Sequence, residues 1–129
     1  MIFVDSNVFI YAVGRPHPLR AEAQEFFISS QAQGKKLVTS AEVLQELLHA
    51  YLPVARTATL DAALTLVIRV VDEVFPIEGE LVLHARRLAD RYPALTARDL
   101  IHLAVCRLKR VSELRTFDRA LKDAFRGRK

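Results

Sequence analysis

The chain has 129 residues, a length that suits one domain, and its 51% apolar content is enough to bury a core. Charged residues make up 26% and the net charge is +4, which excludes a disordered polyelectrolyte and mildly favours a polyanionic partner. The single cysteine, Cys106, excludes an internal disulfide and a multi-cysteine zinc centre, and no apolar run reaches the length of a membrane span. A reducing cytoplasm fits this cysteine usage. The N-terminus lacks the basic-then-apolar order of a signal peptide, so its apolar residues are expected to belong to the fold.

Taken in chain order, Ile2 to Asp5 reads as a first strand, apolar on both faces until a carboxylate interrupts it. Burying that carboxylate unpaired would cost several kcal/mol, so the strand is expected to end there, with Asp5 at the lip of a sheet beside something positive. Arg15-Pro16-His17-Pro18 breaks the pattern. Leu19 to Gln33 then reads as a helix with Leu19, Ala23, Phe26, Phe27 and Ser30 on one face, closed by Gly34. Lys36 to Thr39 is a short second strand. Ser40 can cap a helix that runs to about Leu52, and Pro53 closes it. A further helix from Thr57 or Thr59 reaches about Val70. Glu73 to Ile77 is a third strand, and Pro76 assigns it to an edge. Gly79 to Tyr92 and Thr96 to about Arg110 are helical, Leu114 to Phe117 is a fourth strand, and Asp118 begins a last helix.

Strands alternating with helices predict an α/β fold, a parallel sheet covered on both sides. In open parallel sheets ligands bind beyond the carboxyl ends of the strands. Asp5 follows the first strand and Asp118 the fourth. The helix after the second strand carries Glu42, Glu46 and His49, and Asp99 lies in the first turn of the helix capped by Thr96. Carboxylates crowded on one edge need a hard divalent cation, Mg²⁺ or Mn²⁺. Each acid has a structural use as well. Asp5 can open an Asx-turn, Asp99 stands at capping-box distance from Thr96, and Asp118 is a good N-cap. Glu46 has no capping role. At about 100° per residue it borders the face formed by Val43, Leu44, Leu47, Leu48 and Tyr51. His102, one turn after Asp99, reads as a supporting or surface histidine, and Cys106 as packing.

Four segments, VDSNVFIY, TSAEVLQEL, TARDLIHLAV and LRTFDRAL, are spread in order over nearly the whole chain. Together they resemble the PIN-domain family, and within it the small VapC-type toxins of toxin–antitoxin pairs. The resemblance implies one domain over residues 1–129, a three-layer α/β/α sandwich around a short-stranded parallel sheet, with a frayed basic tail. It implies a metal-dependent ribonuclease whose acids fall on Asp5, Glu46, Asp99 and Asp118, with Mg²⁺ or Mn²⁺ as cofactor. Ser6, Asn7 and Thr116 would then hydrogen-bond the carboxylates and the waters of the ion. Basic residues near the mouth, Arg98, Arg115 and Arg119, are candidates to hold the RNA backbone. A cognate VapB-like antitoxin and a homodimer are the implied protein partners, and Leu60 to Val71 is a candidate face for either. The competing reading is a PIN-like module that binds RNA or protein without cutting. A haloacid-dehalogenase-like phosphatase is disfavoured, because it wants a second aspartate where this chain has Asn7.

Overall fold

Every strand in this chain is short, so the sheet takes its strength from burial rather than from length. A computed structural model describes residues 1–127. The basic tail expected at Arg128 and Lys129 lies outside the described residues. The strands are β1 (Ile2–Val4), β2 (Leu37–Ser40), β3 (Glu73–Phe75) and β4 (Glu113–Arg115). They form a parallel sheet in the order β3-β2-β1-β4. Pro76 therefore follows an edge strand, as its lack of an N–H requires.

The helices are α1 (Ser6–Val13), α2 (Pro18–Ala32), α3 (Ala41–Tyr51), α4 (Thr57–Val70), α5 (Gly79–Ala89), α6 (Ala97–Leu108) and α7 (Arg119–Gly127), with a 3₁₀ turn at Leu52–Val54. The chain steps from β1 to β2 to β3 in one direction, then returns past β1 to β4. Right-handed crossovers put the helices of the outward steps on one face and those of the return step on the other. The packing follows: α1 meets α2, α3 and α4, whereas α6 meets α5 and α7. This is the expected three-layer α/β/α arrangement. The core runs through both layers, with Phe3, Val4, Val8, Phe9, Leu37, Val43, Leu47, Leu103 and Leu121 all at its centre.

Helix α1 has no counterpart in the sequence pattern. Residues Val8 to Val13 are β-branched, aromatic or small, and no polar residue interrupts them to mark a helical period. The helix forms because Asp5 caps it, accepting a hydrogen bond from the Ser6 amide, and because Phe9 stacks on Phe27 of α2 at 5.2 Å. It ends at Gly14, where a Cβ would lie 2.8 Å from the Ile10 carbonyl oxygen. Two smaller expectations also change. Ser40 precedes α3 but makes no capping hydrogen bond, and its buried hydroxyl has no partner. Leu48, expected on the apolar face of α3, is exposed. In α4, Leu60, Ala63 and Val67 are core while Ile68 faces solvent, so the candidate face at Leu60 to Val71 is core along one side only. Among the described residues no helix is long and apolar enough to cross a membrane.

Candidate active site

The strand order reverses at β1, so a crevice opens beyond the carboxyl ends of β1 and β4. Asp5 stands there, one residue past β1, and is 3% exposed. Its carboxylate is held on both oxygens. Oδ1 accepts from the Ser6 amide at 2.7 Å and from the Ser6 hydroxyl at 3.4 Å. Oδ2 accepts from the Thr116 hydroxyl at 2.7 Å and from the Asn7 side-chain amide at 3.4 Å.

Thr116 is the hub of this arrangement. Besides donating to Asp5, its oxygen accepts from the Asn7 Nδ2 at 3.1 Å and from the Asp118 amide at 3.0 Å. Asn7 Oδ1 in turn accepts from the Phe117 amide at 3.1 Å. Ser6, Asn7 and Thr116 thus surround Asp5 as supporting groups and tie the end of β4 to the start of α1.

Glu46 comes from α3 and His102 from α6. His102 Nε2 lies 2.7 Å from Glu46 Oε1 and 3.5 Å from Asp5 Oδ1. One ligand atom each from Asp5, Glu46 and His102 lies within 4.8 Å of the others. Glu46 keeps 14% of its side chain exposed, so this trio opens to solvent through it. The sequence reading of His102 as a supporting or surface residue is therefore half right: it touches the acids, and it is fully buried. Periodicity gave no warning, because α6 buries Leu100 and every residue from His102 to Cys106.

Asp99 and Asp118 stand outside that trio, each in its structural use. Asp99 completes a capping box with Thr96, its amide donating to Thr96 Oγ1 at 3.2 Å and its carboxylate accepting from the Thr96 amide at 3.4 Å. Asp118 Oδ1 accepts from the Leu121 amide at 3.0 Å, at the start of α7. Both remain half-buried rather than sealed, and the charge of Asp99 reaches His102. Of the arginines, Arg98 and Arg119 are exposed, whereas Arg115 lays its guanidinium over the Phe26 ring at 4.6 Å.

Burial pushes the Asp5 carboxyl above its ordinary range, with Glu46 adding to the rise. His102, Thr116 and the Ser6 amide oppose it. For His102 burial acts to lower the pKa, but the hydrogen bond it donates to Glu46 and the charges of Asp5, Glu46 and Asp99 raise it overall. Its Nδ1 has no hydrogen-bond partner, so the proton that is well placed is the one on Nε2, between the two acids. Cys106, below His102 in the same helix, is buried and its thiol is pushed up to about 12, so it is inert packing.

The donor set suits a divalent metal. Two carboxylates converge beside one imidazole, and among the described residues His102 is the one cationic group that touches the buried acid, so the carboxylate oxygens suit a hard divalent ion.

A family model for the PIN domain matches residues 2–126. The chain is 57% identical to Ribonuclease VapC23 of Mycobacterium tuberculosis over 127 residues, covering 98% of this chain and 100% of that protein. It is 44% identical to Ribonuclease VapC13 of the same organism, covering 98% of this chain and 96% of that protein. Among solved structures, it resembles M. tuberculosis VapC20, a sarcin-ricin loop cleaving toxin, with a TM-score of 0.79 and 23% identity over 96% of this chain and 95% of the other. It also resembles a chain of the VapBC2 complex of Rickettsia felis bound to promoter DNA. There the TM-score is 0.59 and the identity 14%, over 92% of this chain and 100% of the other.

Proposed function

The chain belongs to the PIN-domain family, and we propose from this premise that its acidic crevice is the active site of a metal-dependent endoribonuclease, the toxin of a VapC-type toxin–antitoxin pair. It works in the cytoplasm, is blocked by a small VapB-like antitoxin, and assembles as a homodimer. The observation that carries the reading is Asp5: a carboxylate at the β1/β4 switch point, 3% exposed, fastened by four donors and facing Glu46 and His102.

Asp5 and Glu46 would hold the ion through carboxylate oxygens, with Asp99 and Asp118 as the outer acids. That oxygen set suits a hard divalent ion, Mg²⁺ or Mn²⁺. When bound, a divalent ion neutralises the scissile phosphate and lowers the pKa of water. The side chains do the rest. Ser6, Asn7 and Thr116 fix the Asp5 oxygens so that little reorganisation accompanies catalysis. His102 aims the Glu46 carboxylate through its Nε2 hydrogen bond, and Glu46, partly open to solvent, orients the attacking water and accepts its proton. Water adds to phosphorus and the 3′-oxygen leaves as a hydroxyl, so the products carry a 5′-phosphate and a 3′-hydroxyl.

The test is cleavage of a structured RNA pool by purified protein with Mg²⁺, Mn²⁺ or EDTA, beside Asp5→Asn prepared identically. Discrete fragments are expected with metal, and none with EDTA. Asp5→Asn should lose more than about a hundredfold in rate, beyond what removing a mere partner of a ligand costs. Cleavage that survives in Asp5→Asn, or a folded protein that neither cuts RNA nor binds metal, would overturn the reading and favour a non-catalytic module.

A further inference from the structure

The ribonuclease reading leaves unused a second, positively charged pocket beside the acidic one. It has a volume of about 380 Å³ and is lined by Tyr11, Arg15, His17, Tyr51, Arg56 and Thr59 among others. Two routes connect it to the crevice. Tyr11 lies one turn after Asn7, on the same side of α1. Phe117 lies between Thr116 and Asp118, and it meets Tyr11 edge-to-face at 5.4 Å. Tyr11 then meets the His17 ring at 4.7 Å. Three rings thus lead from the carboxylates into the pocket.

The rings are held rather than loose. His17 Nδ1 accepts from the Leu19 amide at 3.1 Å, which fixes its plane while the residue stays exposed. Tyr11 and Phe117 are half-buried. The floor includes Tyr51, 6% exposed, whose hydroxyl is buried without a hydrogen-bond partner. A buried hydroxyl lacking a protein partner is free to bond a ligand or a water. Of the two arginines, Arg56 Nη2 donates to Thr59 Oγ1 at 3.3 Å and Arg15 is exposed. Among the described residues neither forms a salt bridge.

We propose that this pocket is a nucleotide subsite for single-stranded RNA next to the scissile phosphate, where a base stacks on the Tyr11–His17–Phe117 rings and Arg15 and Arg56 take the neighbouring phosphate. The proposal rests on the ribonuclease reading. Its logic is the charge on an RNA strand. The acidic crevice can accept only the phosphate that a metal neutralises, so the next phosphate must meet cations. Aromatic faces combined with arginine are the means by which proteins hold unpaired RNA without a sequence code. A pocket for an apolar protein segment would not need two arginines free of carboxylates.

The test uses the full chain carrying Asp5→Asn, so that RNA is bound and not cut, with fluorescein-labelled decaadenylate and decauridylate as probes read by anisotropy. Adding Tyr11→Leu should weaken binding about five- to a hundredfold, and Tyr11→Phe should restore it. Arg56→Ala should lower the slope of log affinity against log salt by about 0.7. Since the chain has no tryptophan, Tyr11→Trp gives a single reporter whose emission should be quenched by bound RNA. In the cleaving protein the same variants should raise KM more than they lower kcat. If wild type cuts RNA while Tyr11→Leu and Arg56→Ala leave affinity, salt slope and KM unchanged, the subsite is refuted and the ribonuclease reading stands. If wild type neither cuts nor binds RNA, both fall. Arg56→Ala, at a half-buried surface position, keeps the test valid should Tyr11→Leu fold poorly.

Discussion

Asp5 is a carboxylate kept where its protonated form is favoured, and His102 is a histidine kept where its charged form is favoured. The two signs combine. A carboxyl raised by burial costs stability as pH rises from the ordinary carboxylate value through the folded one. A histidine raised by Glu46, Asp5 and Asp99 gives stability that is complete below its unfolded pKa and is lost as pH rises through the folded value. Both slopes run downward, so the metal-free protein should melt at a lower temperature at about pH 9 than at about pH 6. Asp5→Asn should flatten that slope and raise the metal-free stability at alkaline pH. Mn²⁺ should restore the wild-type melting temperature at alkaline pH and leave Asp5→Asn unmoved. Thermal melts with EDTA and with Mn²⁺ across this range check all three. The acids themselves were legible in the sequence, because a carboxylate that ends an apolar strand has few reasons to be there. The environment of His102 was not, because it comes from α3 and β1, far away in sequence, and from a helix buried nearly all round.

At the scale of elements, the short strands are joined by side chains at their ends as well as by their own ladders. β4 pairs with β1 over three residues, and Thr116 then adds a bond to Asp5 and one from Asn7. Thr116→Val keeps the shape and removes the hydroxyl. It leaves Asp5 Oδ2 short of its best donor and the Asp118 amide without an acceptor. The expected cost is about 1–3 kcal/mol in urea unfolding, with metal affinity lowered about 10–100-fold. A loss of stability with no change in metal affinity would mean that Thr116 serves only the strand pairing. Elements with an external marker were readable: Gly34 after α2, Thr96 before α6, Pro76 after the edge strand. α1 had no such marker. From Val8 on its residues are apolar all round, and what makes them helical is the local Asp5 cap together with the partner Phe27, a tertiary contact that no local pattern shows.

At the scale of the whole molecule, one core stabilises both faces of the sheet and carries the site on its rim. Phe9, fully buried and stacked on Phe27, belongs to the core on the α1–α2 side of the sheet. Phe9→Ala should cost about 3–5 kcal/mol, a large part of the usual stability of a small domain. The fraction that stays folded should bind metal as wild type does, which separates core from site by calorimetry and metal titration on one sample. The parallel α/β class followed from alternation alone, but the position of β4 beside β1 did not. A helical crossover can land on either side of a sheet, and what recruits β4 to β1 is a set of contacts spanning the chain.

That last pairing has a temporal side. The hydrogen bond between Thr116 and Asp5 closes a separation of 111 residues. Chains are made from the N-terminus, and such distant contacts form last. The Asp5 carboxylate is therefore fastened on both oxygens late in folding, once residues from opposite ends of the sheet's chain path have met, and the crevice is assembled after the core that carries it.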